Sequence, residues 1–245
     1  MAADRPICLK VSDLKKQYGG RMVVNGLSFQ VGLGEIVGLL GPNGAGKTTA
    51  FYMTVGLIQA DGGRVEFNNI DVTHLAMHER ARMGMGYLAQ EPSVFRNLTV
   101  EENILAILET LPLPKKEKKK RLQELLQELN LAHLAKKIAV SLSGGERRRV
   151  EITRSLITNP SLLMLDEPFA NIDPISVQEV KNLIRHLANR GISILITDHN
   201  AREIFSVVDK SYLIQEGKVT LQGSLDELIH NEEARRTYFG SDFRM

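Results

Sequence analysis

The chain has 245 residues, 43% of them hydrophobic, and a formal net charge of +2 at pH 7. That length supports a full core in one large α/β domain or in a core with a lobe. So small a charge makes no electrostatic case for a nucleic-acid partner. The single cysteine, Cys8, excludes an internal disulfide and suits a reducing compartment. The opening residues Met1 to Pro6 hold no apolar stretch fit for a secretion signal. No apolar run approaches the roughly 20 residues of a membrane span. The expectation is a cytoplasmic protein whose contact with a membrane comes only through partners.

Residues 7–12, 27–31 and 64–67 read as strands. Short apolar runs recur at 36–40, 85–88, 162–165 and 192–196. Each leads within two residues to a polar or glycine position: Gly41, Gln90, Asp166, and Thr197-Asp198-His199. In a doubly wound sheet, ligands lie outside the carboxyl ends of the parallel strands, so four such runs point to one shared pocket. The first run delivers Gly41-Pro42-Asn43-Gly44-Ala45-Gly46-Lys47-Thr48, the pattern of a phosphate-binding loop. Its glycines let backbone N–H groups turn inward on an anion, and the following helix adds the positive end of its dipole. Lys47 is placed to reach the β- and γ-phosphates. The Thr48 hydroxyl is placed to hold Mg²⁺, with Thr49 beside it in the nucleotide site.

From residue 91 to 142 the pattern turns helical. Thr99-Val100-Glu101-Glu102 reads as a capping box, Leu111-Pro112-Leu113-Pro114 breaks the helix, and Leu122, Leu125, Leu126 and Leu129 form one apolar stripe. This is a helical lobe inserted into the sheet domain. Its basic run, residues 115–121, is weighed as a solvated face against a site for acidic headgroups, and the solvated face is favoured. Further on, residues 162–167 form a buried strand ending in two carboxylates. Asp166 is placed to hold Mg²⁺ through water, and Glu167 to activate the attacking water as general base. Leu142-Ser143-Gly144-Gly145-Glu146 opens another helix with a capping box of Ser143 and Glu146, and its two glycines expose N–H groups to an anion.

These motifs, the Leu142-to-Glu146 string above all, make the chain resemble ATP-binding cassette ATPases over essentially its whole length. The resemblance implies an α/β phosphate-loop NTPase core of the RecA-like kind, residues 1–90 and 160–245, carrying an antiparallel β subdomain. The helical subdomain, 91–159, would hold the signature string. It implies ATP and Mg²⁺ as cofactors and a homodimer in which Ser143, Gly144 and Gly145 contact the γ-phosphate of the partner's ATP. Tyr18 resembles the aromatic that stacks on adenine. Gln90 resembles the glutamine that contacts Mg²⁺ and water and reports to a membrane subunit, and His199 resembles the histidine that hydrogen-bonds the γ-phosphate. Ala170-Asn171-Ile172-Asp173 resembles the loop that crosses the dimer interface. It departs from the commoner form by lacking a serine at its first position.

Residues 141–152, 166–170, 173–177 and 196–200 and the closing Asp242-Phe243-Arg244 are similar to the ATPases of lipopolysaccharide export systems; branched-chain amino-acid importer ATPases share parts of them. This implies a homodimer bound beneath two transmembrane subunits on the cytoplasmic face of the inner membrane. Their coupling helices would dock in a groove lined by residues 90–96, with Phe95 as apolar anchor and Arg96 at the rim. For Phe95 the competing reading is an ordinary core residue. Two other classes compete for the whole chain. A cassette acting on nucleic acid should carry a basic stripe, a second cassette or a long coiled coil. A regulatory module without hydrolysis sits poorly with Lys47, Asp166, Glu167 and His199 together.

Overall fold

The structure is a computed structural model that describes residues 5–236; the terminal Asp242-Phe243-Arg244 string lies outside them. The chain opens with a long hairpin, β1 (Ile7–Tyr18) and β2 (Arg21–Gly32). Gly19 and Gly20 join the strands at φ +52 and +83, left-handed values whose twist matches the flanking strands. Both strands run well beyond the 7–12 and 27–31 expected from sequence. The pairing slips between Val11 and Leu14, where Asp13 sits at φ +51. Such an irregularity breaks the period-two alternation by which a strand is recognised.

There follow β3 (Ile36–Leu40), α1 (Lys47–Val55), β4 (Gly62–Phe67), β5 (Ile70–Asp71), α2 (Met77–Arg82) and β6 (Met85–Leu88). The inserted helices are α3 (Val100–Leu108), α4 (Lys115–Glu128) and α5 (Gly144–Ser155). The chain then returns through β7 (Leu162–Asp166), α6 (Pro174–Asn189), β8 (Ser193–Thr197), α7 (Ala201–Phe205), β9 (Lys210–Gln215), β10 (Lys218–Gly223) and α8 (Leu225–His230). One sheet is antiparallel, in the order β2-β1-β4-β5. The other runs β10-β9-β3-β8-β7-β6, parallel throughout except for the β10 edge.

The central strands β3, β7 and β8 of the six-stranded sheet are buried on both faces. Ile36, Leu40, Leu163, Leu165, Ile194 and Ile196 point into a core shared with the helices α3 to α6. Their neighbours Val37, Leu39, Leu162, Met164 and Leu195 point into a second core with α1 and the antiparallel sheet. Alternate side chains of a strand leave opposite faces, so burial on both sides turns each strand into an unbroken apolar run. The strand order puts the carboxyl ends of β3, β8, β7 and β6 side by side.

The helical lobe follows its local signals. Thr99 and Glu102 form the reciprocal capping box, and Ser143 and Glu146 form another. The first helix stops at Leu108, ahead of Pro112, and α4 starts directly after Pro114. Leu125, Leu126 and Leu129 are buried and Leu122 packs against them. Residues 115–120 are mostly exposed, as a solvated face requires. Among the described residues no helix is long and apolar enough to cross a membrane.

Candidate nucleotide-binding and hydrolysis site

The phosphate loop hangs between β3 and α1, and two of its glycines are required by close approach. A Cβ at Gly41 would stand 2.1 Å from the Ile214 carbonyl oxygen; one at Gly46, the α1 cap at φ +99, would stand 2.6 Å from the Val23 carbonyl oxygen. A side chain at either place would push the loop off its bed on β2 and β9. Lys47 Nζ donates to the carbonyls of Gly41 at 2.7 Å and Pro42 at 2.9 Å, so its ammonium lies within the loop. Burial lowers its pKa and the Glu167 charge works the other way. Pro42, Asn43, Gly44 and Thr48 are exposed, Ala45 is buried and Thr49 is half-buried.

A cavity of about 710 Å³ adjoins the loop, lined by Pro42 to Ala45 and by Arg21, Met22, Val23, Gln215 and Glu216. Those last five carried no sequence signal, because the β1–β2 hairpin and the β9–β10 turn reach the loop only in the folded chain. Tyr18 closes β1 just outside that lining, 47% exposed, with Lys16 Nζ 5.5 Å from its ring centre.

The carboxylates stand at the end of β7. Asp166 is 1% exposed, and burial pushes its pKa up to about 6. Its Oδ2 is buried without a hydrogen-bond partner. An orphaned carboxylate oxygen beside the phosphate loop, with the Thr48 hydroxyl and the Gln90 amide as further oxygen donors, fits the hard, oxygen-seeking Mg²⁺ ion. Glu167 sits at φ +46, a left-handed backbone that a non-glycine residue adopts only under constraint. The constraint is visible: its N–H donates to Thr197 O at 2.7 Å, locking the turn onto β8.

Gln90 Nε2 donates to Glu167 Oε2 at 2.9 Å, and His199 Nδ1 lies 3.3 Å from the same oxygen. His199 Nδ1 is also 3.5 Å from Oδ1 of Asp198, which is buried, has its pKa raised by that burial, and accepts the Asn200 N–H at 2.9 Å. The ends of three different strands thus meet on the Glu167 carboxylate.

Arg148 and Glu151 escaped the sequence reading. Arg148 is 5% exposed and spreads its guanidinium over the backbone of the site. It donates to Glu167 O at 2.6 Å, Pro168 O at 3.0 Å and Ala89 O at 3.2 Å. It also pairs with Glu151 at 3.1 Å, and Glu151 accepts the Ser93 N–H at 2.8 Å. One buried ion pair on α5 therefore ties the Gln90 segment to the turn that carries Glu167. An arginine triplet starting a helix looks like a solvated face; only the fold reveals that its middle member turns inward.

Ser143 is exposed and caps α5, its hydroxyl accepting the Glu146 N–H at 3.1 Å. Gly144 lies against Asn171 and Ile172, and a Cβ at Gly145 would stand 2.2 Å from Ser176 Oγ. The second glycine thus has a packing reason as well as the anion-binding one expected: it lets α5 meet the start of α6. Asp173 caps α6, accepting from the Ile175 and Ser176 N–H groups, with Pro174 at the first helical position. Signature end and Ala170–Asp173 loop form one exposed face that also carries Ile175, 77% exposed.

Phe95 is 44% exposed, which removes the core-residue reading, and the Arg154 guanidinium stacks over its ring at 4.5 Å. Arg96 is exposed beside it.

Residues 24–170, well over half of the chain, match the family model described as ABC transporter. The chain is 53% identical over 237 residues to the lipopolysaccharide export system ATP-binding protein LptB of Acidithiobacillus ferridurans, covering 97% of this chain and 98% of that protein. It is 47% identical over 238 residues to the LptB of Escherichia coli strain K12, covering 97% and 99%. Among solved structures it is similar to an ATP-binding cassette of an ABC transporter in the ADP conformation. There the TM-score is 0.85 and the identity 29%, over 96% of this chain and 99% of that one.

Proposed function

The chain belongs to the ABC transporter family, and on that premise we propose that it is the ATP-hydrolysing motor of a lipopolysaccharide exporter. It is an ATPase, and the cluster of Gln90, Glu167 and His199 carries the mechanism. Glu167 Oε2 is fixed by the Gln90 amide and the His199 ring, so the carboxylate is poised to take a proton from water attacking the γ-phosphate. Lys47 and the N–H groups of residues 41–48 hold the phosphates. Mg²⁺, when bound by Thr48, Gln90 and Asp166, would neutralise the charge that builds on the transferred group. Lys47→Ala is expected to lose nucleotide affinity itself, which equilibrium binding of a fluorescent ATP analogue measures.

The active unit in this reading is a homodimer. The exposed face of Ser143, Gly144, Asn171 and Ile175 packs on the partner, and each Ser143 reaches the γ-phosphate on the other copy's loop. An isoleucine 77% exposed at a helix start is the kind of apolar surface that such a contact removes from water. ATP closes the pair because each γ-phosphate gains contacts from both copies, and hydrolysis removes them.

Two transmembrane subunits sit above the pair on the cytoplasmic face of the inner membrane. Their coupling helices dock on the surface of Phe95 and Arg96. Val140 donates its N–H to Arg96 O at 3.0 Å, so the exposed Ile138 and Val140 extend the apolar patch begun by Phe95. Because Gln90 stands five residues before Phe95, docking and hydrolysis share one segment. Phe95→Ala is expected to leave the isolated ATPase within about two-fold of native while weakening capture of membrane subunits. Undiminished co-purification would reject the docking role. The function is tested by purifying the native complex from membranes: membrane subunits together with bound lipopolysaccharide are expected, and an amino-acid permease in their place would overturn the cargo.

A further inference from the structure

The turn between β9 and β10 touches the phosphate loop through its backbone. Only Glu216 and Gly217 separate the two strands, at φ +49 and +75, the paired left-handed positions of a type I′ hairpin. Gly217 is clamped from both sides. Its N–H donates to Ala45 O in the phosphate loop at 2.9 Å, and its carbonyl accepts the Asn25 N–H of β2, also at 2.9 Å. Only glycine fits in that clamp. A Cβ on Gly217 would stand 2.5 Å from Val23 O and 2.9 Å from Val24 Cα.

The contact fixes a peptide plane. The Ala45–Gly46 bond is trans, so its C=O and its N–H point in opposite directions. With Ala45 O drawn onto Gly217, the Gly46 N–H is turned away from the β9–β10 turn. Gly46 is buried, and its N–H has no acceptor among the described residues. A buried donor left unpaired calls for a partner outside the chain. We propose that Gly217 is a positioning residue: it holds the Ala45–Gly46 peptide so that the Gly46 N–H is presented to the phosphate chain of the nucleotide. The inference rests on the nucleotide reading of the loop.

The test uses the full chain below its melting temperature, with a fluorescent ATP analogue and inorganic triphosphate as its competitor. Gly217→Ala adds the clashing Cβ. Replacing Gly217 by glycolic acid turns its amide into an ester, which removes the N–H and adds nothing that could clash. That second change decides the matter if Gly217→Ala does not fold. Each is expected to weaken the analogue and the triphosphate alike by about 10- to 100-fold, the weight of one hydrogen bond to a charged group. At saturating ATP, kcat should stay within about two-fold of native, because the Glu167 cluster is untouched. A turn that serves stability alone would lower the melting temperature and leave both affinities native, and that result in the ester variant would overturn this inference alone. So would a loss confined to the ATP analogue, which would place the effect in the cavity beside Gln215 and Glu216. A native chain that binds neither ligand would overturn the nucleotide reading and the inference together.

Discussion

Glu167→Gln is expected to bind ATP and Mg²⁺ like the native chain and to turn over at least about 100-fold more slowly, general-base groups contributing roughly 10² to 10⁴. The substitution retains size and hydrogen-bonding capacity but removes the carboxylate proposed to take the proton from water. Gln90 donates to Glu167 Oε2 at 2.9 Å and can donate equally to the carbonyl oxygen of an amide in its place. The site's geometry therefore survives, and the loss falls on kcat rather than on nucleotide affinity. A variant that binds and does not hydrolyse should also accumulate as a closed, nucleotide-bound pair. Phosphate release at near-native rate from Glu167→Gln would remove Glu167 from the role of base.

Arg148→Ala is expected to lower stability by about 3–5 kcal/mol, the usual consequence of stripping one partner from a buried ion pair. Both side chains are almost fully inside, at 6% and 3% exposed. Removal would take the paired guanidinium from buried Glu151, leaving it the Ser93 N–H and the charge of Arg154, and would strip a donor from the carbonyls of Ala89, Glu167 and Pro168. The backbone under Glu167 is already held at φ +46, so loosening it should lower kcat beyond the stability effect. Urea unfolding of the chain measures the first effect and ATPase assays well below the melting point the second. Native stability in Arg148→Ala would show that the pair is not the tie described.

The sequence carried the parts of the site whose chemistry is local. A phosphate loop and two capping boxes each arise from a few neighbouring residues, and each is found where its residues put it. The parallel strands were legible because burial on both faces makes each a short unbroken apolar run. The β1–β2 hairpin was read short because a bulge near Asp13 disrupts its alternation. The convergence of Gln90, Glu167 and His199 was foreseeable in outline, since each follows a core strand, but that all three meet on one oxygen depends on the strand order. Arg148 and the residues of the cavity beside the loop were illegible for the same reason. Their partners are distant in the chain, and nothing in an arginine triplet announces which way it will turn.

In the proposed homodimer each ATP is held by the phosphate loop of one copy and the Ser143 end of the other. Mixing two inactive variants, Lys47→Ala and Ser143→Arg, tests it directly. If sites are shared across the pair, a mixed dimer gathers both defects into one site and leaves the second intact, so ATPase activity should reappear on mixing, at up to about half of native per mixed dimer on simple counting of sites. Activity that stays absent at every mixing ratio, with mixed dimers present, would contradict the claim.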